Sequence, residues 1–195
     1  MRVEPAATTG RPFTVLAVCT GNICRSPAVE RLLVSELGPD SDIHVASAGV
    51  GAVAGAPISP PMASLLGQVG AVAGGFVARQ LTEQMVRDAD LVLALTRSHR
   101  SQVVSLHPGA VRRTFTLREL ARLASAVDPA AIPAGSHAGR LAALLPLAAA
   151  QRGQRPGEPG EDDVVDPYGG NESLYRRSFD ELGPAVREIA RIIRG

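Results

Sequence analysis

Residues 13–26 read FTVLAVCTGNICRS, and this stretch decides the fold. Phe13 to Val18 is an apolar run with β-branched residues, and it ends in Cys19. Arg25, Ser26 and Pro27 follow after a short loop, and Val29, Leu32, Leu33 and Leu37 then recur at helical spacing. The pattern predicts a strand, a tight loop and a helix. It puts the cysteine at the end of the strand and the arginine at the start of the helix.

Such a junction is an anion cradle with a nucleophile at its base. The backbone N–H groups of Thr20, Gly21, Asn22, Ile23, Cys24 and Arg25 have no helical partners and can turn inward around an oxyanion. The dipole of the following helix adds positive charge at the same point. Arg25 supplies a planar fork that matches two phosphate oxygens. The same field favours the thiolate of Cys19. Gly21 and Asn22 accept the positive φ that such a loop needs. Ser26 can donate its hydroxyl to the sulfur and ease its departure. The competing reading is a buried, inert cysteine on a core strand. The Cys-x5-Arg-Ser spacing at a strand-to-helix junction weighs against it.

At these residues the chain resembles the low-molecular-weight protein tyrosine phosphatases, whose signature is Cys-x5-Arg-Ser/Thr near the N-terminus. CTGNICRSP (19–27) carries the match. HVASAG (44–49), ARQLT (78–82), DADLVLALTRSHR (88–100) and VDPYGG (165–170) extend it. The resemblance covers Phe13–Phe115 and Val164 to the end. It implies a four-stranded, flavodoxin-like order, with the phosphate loop at the carboxyl edge of the sheet. It places the general acid in a late Asp-Pro-aromatic loop, which here makes Asp166 the acid and Tyr168 a cleft residue that stacks on an aryl ring. It assigns Asn22 and Ser47 to bracing the loop, and its chemistry needs neither metal nor cofactor. Val53 stands where eukaryotic members carry an aromatic cleft wall. GVGAVAGAP (49–57) instead looks like the bacterial members paired with tyrosine kinases of exopolysaccharide production. Cys24 shares the loop with Cys19 and can form a reversible disulfide with it, or it is simply a small buried hydrophobe.

The chain has 195 residues, enough for one α/β domain with a real core. A net charge of +1 gives no strong pull toward nucleic acid or a membrane surface. All 20 basic residues are arginine. Two cysteines make no disulfide framework, and a thiolate enzyme needs a reducing compartment, so the cytoplasm is the expectation. His44, His99, His107 and His137 show no metal spacing, and His99 reads as a helix-surface residue. Gly49–Ala54 fits a relaxed dinucleotide pattern only nominally, because Pro57, Pro60 and Pro61 prevent a helix from following it.

Along the chain, residues 1–12 read as a flexible leader and 13–195 as a single phosphatase domain. Further strands are expected at Ile43–Ser47, Asp90–Leu95 and Val111–Phe115. Helices are expected at Met62–Val69, at Leu81–Ala89 with Thr82 as N-cap, at Arg97–Leu106 with Thr96 as N-cap, and at Ser173–Ile193. Strands alternating with helices mean a doubly wound α/β fold with a parallel sheet. Residues 117–163 stand out as a family-atypical insertion before the acid loop. Within it, Leu117–Ala126 reads as helical. Ala138–Gln151 is apolar on nearly every side, with Pro146 expected to kink or end it. Arg152–Asp163 reads as a hinge. The expectation is a helical flap beside the cleft that selects macromolecular substrates.

Taken together, the sequence reads as a protein-tyrosine phosphatase acting through a cysteinyl-phosphate intermediate. Val18 precedes the nucleophile where the larger tyrosine phosphatases carry histidine. Two other readings stay open. One is arsenate reduction on the same scaffold with an external small thiol, since there is no distal cysteine pair. The other is a non-catalytic phosphotyrosine-binding module.

Overall fold

The structure, a computed structural model, describes residues 11–158 and 160–195. Four parallel strands, β1 (Phe13–Cys19), β2 (Ile43–Gly49), β3 (Leu91–Ala94) and β4 (Thr114–Thr116), form one sheet in the order β2-β1-β3-β4. Cys19 stands opposite Gly49, and Val18 opposite Ala94. The chain winds from β1 out to β2, then crosses back to β3 on the other side of β1. The topological switch point therefore falls at the C-terminal end of β1, where Cys19 sits.

The apolar run of β1 is covered on both faces, as a central parallel strand must be. Val15, Ala17 and Cys19 point into the larger core, beneath α1 (Arg25–Leu37) and α7 (Glu172–Arg194). Leu16 and Val18 point into the smaller one, with Val86 of α3 (Glu83–Asp88) and Val103 of α4 (Arg97–Leu106). The alternation of side chains along a strand thus puts Cys19 on the α1 face. α2 (Pro60–Gln68) starts on two prolines, which suits a first turn. Thr82 and Thr96 cap α3 and α4 through their hydroxyls, as expected from the sequence.

Three expectations change. Val111 lies in a 3-10 helix, Pro108–Arg113, so β4 begins only at Thr114. Pro108 and Gly109 favour that turn, and the Thr114 hydroxyl ties back to the Ala110 carbonyl at 2.8 Å. The leader expected at 1–12 lies mostly outside the described residues. Its last part is held in place, for Arg11 makes a two-pronged ion pair with Asp90, each contact 2.7 Å.

The third change concerns 117–163. α5 (Leu117–Ala124) follows β4 directly, and Thr116 and Glu119 complete a capping box. α6 (His137–Ala150) runs on past Pro146. It is not a flap beside the cleft. Its first turn meets Ser41 and Asp42, just before β2, at the end of the sheet away from Cys19. Arg140 donates to the carbonyls of Ile192 and Ile193 at the end of α7. Leu141, Leu144 and Ala148 are fully buried in the larger core. The physical reason is the one the sequence raised, an apolar helix that needs a surface, and α5 and α7 supply it. The 152–163 return is also more than a hinge. Arg152 stacks on the Phe115 ring at 4.1 Å and pairs with Glu119 at 2.8 Å, while Asp162 is buried.

Leu141→Ala and Leu144→Ala should each destabilise the protein by about 2–5 kcal/mol in urea unfolding. Replacing 124–161 by a Gly/Ser linker should prevent folding. A well-folded linker protein would show that α6 is dispensable decoration.

Candidate active site

β1 ends and α1 begins around a loop that leaves its own helix start uncapped. No side chain caps α1, and its first turn holds no acidic residue. α3, α4, α5, α6 and α7 all have side-chain caps. The first turn of α1, Arg25 to Ala28, is nevertheless buried. Its orphan N–H groups are therefore available to an oxyanion.

Asn22 shapes the loop. It is fully buried at φ 53°, the one non-glycine residue with positive φ among the described residues. Its amide nitrogen donates to Ser26 Oγ at 3.0 Å and to Ser47 Oγ at 2.9 Å, and its oxygen accepts from the Arg79 backbone N–H at 2.9 Å. Ser47 in turn donates its hydroxyl to Glu30, 2.7 Å away. Ser26, having accepted from Asn22, can point its hydroxyl hydrogen at Cys19 Sγ, 3.0 Å away. Gly49 is required beside the loop, since a Cβ there would stand 2.3 Å from the Thr20 carbonyl.

A cavity of about 140 Å³ opens above Cys19. Thr20, Gly21, Ile23, Cys24 and Arg25 of the loop line it, together with Gly51, Val53, Asp166 and Tyr168. Asn22, Ser26 and Ser47 stand behind the loop rather than in the cavity. The sequence-predicted set is thus brought together in two layers, a lining and a brace. Arg25 is buried. One nitrogen donates to the Val164 carbonyl at 3.1 Å, another pairs with Asp166 at 2.5 Å, and Nε has no hydrogen-bond partner among the described residues. Asp166 is half exposed. Cys19 and Cys24 are both free thiols. Burial pushes the Cys24 thiol up despite contacts with Ser59 at 3.2 Å and Tyr175 at 3.6 Å.

Sequence reasoning missed three contributors. Arg79 and Glu30 complete the brace, and neither carries a local signal beyond its place in or near a matching motif. His99, expected on the helix surface, is buried, and its ring spans Thr20 Oγ1 and Thr96 Oγ1 at 2.9 Å each. It therefore ties the loop to the start of α4. Burial first, and then the nearby Arg25, push its pKa from 6.5 to about 4.

A thiol at the base of an uncapped helix start, ringed by backbone N–H groups and one arginine fork on a doubly wound sheet, defines the class of cysteine-dependent phosphatases. The comparisons narrow the class. The profile described as "Low molecular weight phosphotyrosine protein phosphatase" matches residues 14–130. A curated relative, the protein-arginine-phosphatase of Bacillus subtilis, is 31% identical over 91% of this chain and 94% of its own. Another, the probable low molecular weight protein-tyrosine-phosphatase EpsP of Ralstonia solanacearum, is 36% identical over 55% of this chain and 72% of its own. The solved YwlE arginine phosphatase of Geobacillus stearothermophilus superposes with TM-score 0.67 at 28% identity, over 94% of each chain. The chain belongs to the low molecular weight phosphotyrosine protein phosphatase family.

His99 also gives the site a pH signature. Its depressed pKa means that the fold favours the neutral ring. That stability is complete above pH 6.5 and is lost as pH falls from 6.5 toward about 4. Urea midpoints should therefore drop across that window in the wild type and drop less in His99→Gln. Parallel curves for the two proteins would remove His99 from this role.

Proposed function

We propose that this chain hydrolyses phosphotyrosine in proteins through a cysteinyl-phosphate intermediate. The Cys19 thiolate attacks phosphorus, forming the S–P bond as the P–O bond to the aryl group breaks. The N–H groups from Thr20 to Arg25 and the Arg25 fork hold the equatorial oxygens. The unpartnered Arg25 Nε is suited to such an oxygen. Asp166 gives its proton to the departing phenolate. It then takes one from water, whose oxygen attacks phosphorus as the S–P bond breaks and inorganic phosphate leaves. Asp166 rests on Arg25, so a phosphate dianion that takes Arg25 also releases the acid toward the leaving oxygen.

The observation that carries the aryl substrate is the cleft wall. Ile23, Val53 and Tyr168 present apolar and aromatic surface above the sulfur, and Tyr168 is largely exposed for stacking. A phosphoarginine substrate is the second reading. It is supported by the similarity to the Bacillus subtilis arginine phosphatase over most of both chains. A guanidinium needs acceptors along its edges, and Asp166 is the one carboxylate among the lining residues. The proposed protein substrates include a bacterial tyrosine kinase of exopolysaccharide production, suggested by the bacterial-type sequence of 49–57. The proposed setting is the cytoplasm. Among the described residues, no helix is long and apolar enough to cross a membrane. Cys24 is proposed as a reserve thiol: peroxide oxidises Cys19 to a sulfenic acid, and Cys24 displaces water to form a disulfide.

Cys19→Ser should abolish turnover while retaining phosphopeptide binding. Asp166→Asn should slow poor leaving groups by about a hundred- to ten-thousand-fold and p-nitrophenyl phosphate far less. Comparing kcat/KM on phosphotyrosine and phosphoarginine forms of one peptide decides between the readings; faster arginine dephosphorylation would overturn the tyrosine assignment. After mild peroxide, dithiothreitol should restore the wild type but not Cys24→Ser. Equal recovery would remove Cys24 from that role.

A further inference from the structure

Five arginines converge away from Cys19. Arg97 and Arg100 come from α4, Arg122 from α5, and Arg152 and Arg155 from the segment that returns from α6. They line a cavity of about 550 Å³. Two carboxylates among its lining residues, Glu119 and Asp162, do not balance five cations. Glu161 adds only a long contact, 3.9 Å from Arg122. Glu119 is taken up by Arg152, and Asp162 is shared between Arg97 and Arg122. Among the described residues Arg100 makes no ion pair; its Nε donates to the Thr114 carbonyl. Burial and the neighbouring Arg152 push its pKa down, which marks two like charges held close. Arg155 makes no ion pair among the described residues, while its own carbonyl accepts from Arg122 at 2.6 Å.

The return segment passes close over these side chains: a Cβ at Gly157 would stand 2.7 Å from Arg122 and 3.0 Å from Asp162, and a larger residue there would push both aside. Its position is also tied to the catalytic cleft. Asp162 lies in its wall, and Val164, two residues on, gives its carbonyl to Arg25. The four-residue step from Asp162 to Asp166 reaches about 14 Å at most. A peptide lying in the cleft covers that span with about four residues.

We propose that this arginine cavity is a second phosphate-recognition site, taking a phosphate group that is carried by the phosphoprotein substrate or free as an oligophosphate. Guanidinium forks are the donors that match such an oxyanion, and an added dianion relieves the crowding of Arg100 and Arg152. The substrate-borne source rests on the phosphatase reading given above. Binding of the free anion does not.

The test uses two peptides with one phosphotyrosine, differing only in a serine or phosphoserine about four residues away. The wild type should prefer the doubly phosphorylated peptide about tenfold in kcat/KM, through KM. Arg100→Gln/Arg155→Gln, and the milder Arg155→Gln alone, should lose the preference with p-nitrophenyl phosphate turnover unchanged. In calorimetry, Cys19→Ser should bind tripolyphosphate at one more site than the same protein carrying Arg100→Gln/Arg155→Gln. An extra tripolyphosphate site without any peptide preference assigns the cavity to free oligophosphate. Neither preference nor extra site overturns the proposal. Absence of any phosphatase turnover, with the extra site still present, would overturn the catalytic reading and not this one.

Discussion

Everything about the loop around Cys19 depends on one buried amide. Asn22 spends both N–H donors and its oxygen on fixed partners, with its own backbone held in the left-handed region. Losing the side chain would leave the Arg79 N–H unpaired, at a cost of about 1–3 kcal/mol, and would take one partner each from Ser26 Oγ and Ser47 Oγ, which keep Cys19 and Glu30. The bonds also have a direction. Donation runs from Asn22 to Ser47 to Glu30 and from Asn22 to Ser26, whose one hydroxyl hydrogen has Cys19 Sγ at 3.0 Å and the Ala48 carbonyl at 3.4 Å within reach. The brace therefore sets the shape of the cradle and fixes the hydroxyl beside Cys19 at the same time.

The sequence made the centre of the fold legible because its signals there are local. A buried strand reads as an unbroken apolar run, and the spacing from Cys19 to Arg25 spans a single junction. Thr82 and Thr96 announced their helices by capping chemistry that needs no knowledge of the rest of the chain. Asp166, Tyr168 and Ser47 were found through motif resemblance rather than through pattern, and the structure gathers them at the same place. What stayed illegible depended on distant partners. His99 sits among polar neighbours in the first turn of α4, and only the approach of Thr20 from the loop after β1 shows that its ring is buried. The apolar pattern of α6 shows in the sequence that it needs a surface. Which surface it takes is decided by α5, α7 and the ends of other elements, none of which leaves a mark in residues 137–150.

Three segments far apart in sequence meet at the acid loop. The start of α4 receives His99 and Thr20 on one side, and its Arg97 N–H binds Asp163 at 2.7 Å on the other. The Val164 N–H bonds the Leu95 carbonyl at 2.9 Å. Arg118 holds the Asp163 carbonyl at 2.9 Å. The proposed acid, Asp166, thus follows a segment pinned just before it, while Asp166 itself and Tyr168 remain exposed. The anchoring continues to Val165, whose N–H donates to Glu181 at 2.8 Å, and the two residues proposed to meet substrate follow within three positions.

The Thr114 carbonyl has a consequence of another kind. β4 is three residues long and lies at the border of the sheet, where an open backbone invites a strand from another molecule. Arg100 and Arg152 both donate to that carbonyl, at 3.1 and 3.0 Å. At the opposite border, Gln80 forms a single bridge to Gly49 beside β2. The Thr114 carbonyl is thereby occupied from within the molecule, by one guanidinium of α4 and one of the return segment, and is not open to a strand from another molecule, whereas the bridge at the β2 border covers only that strand's last residue.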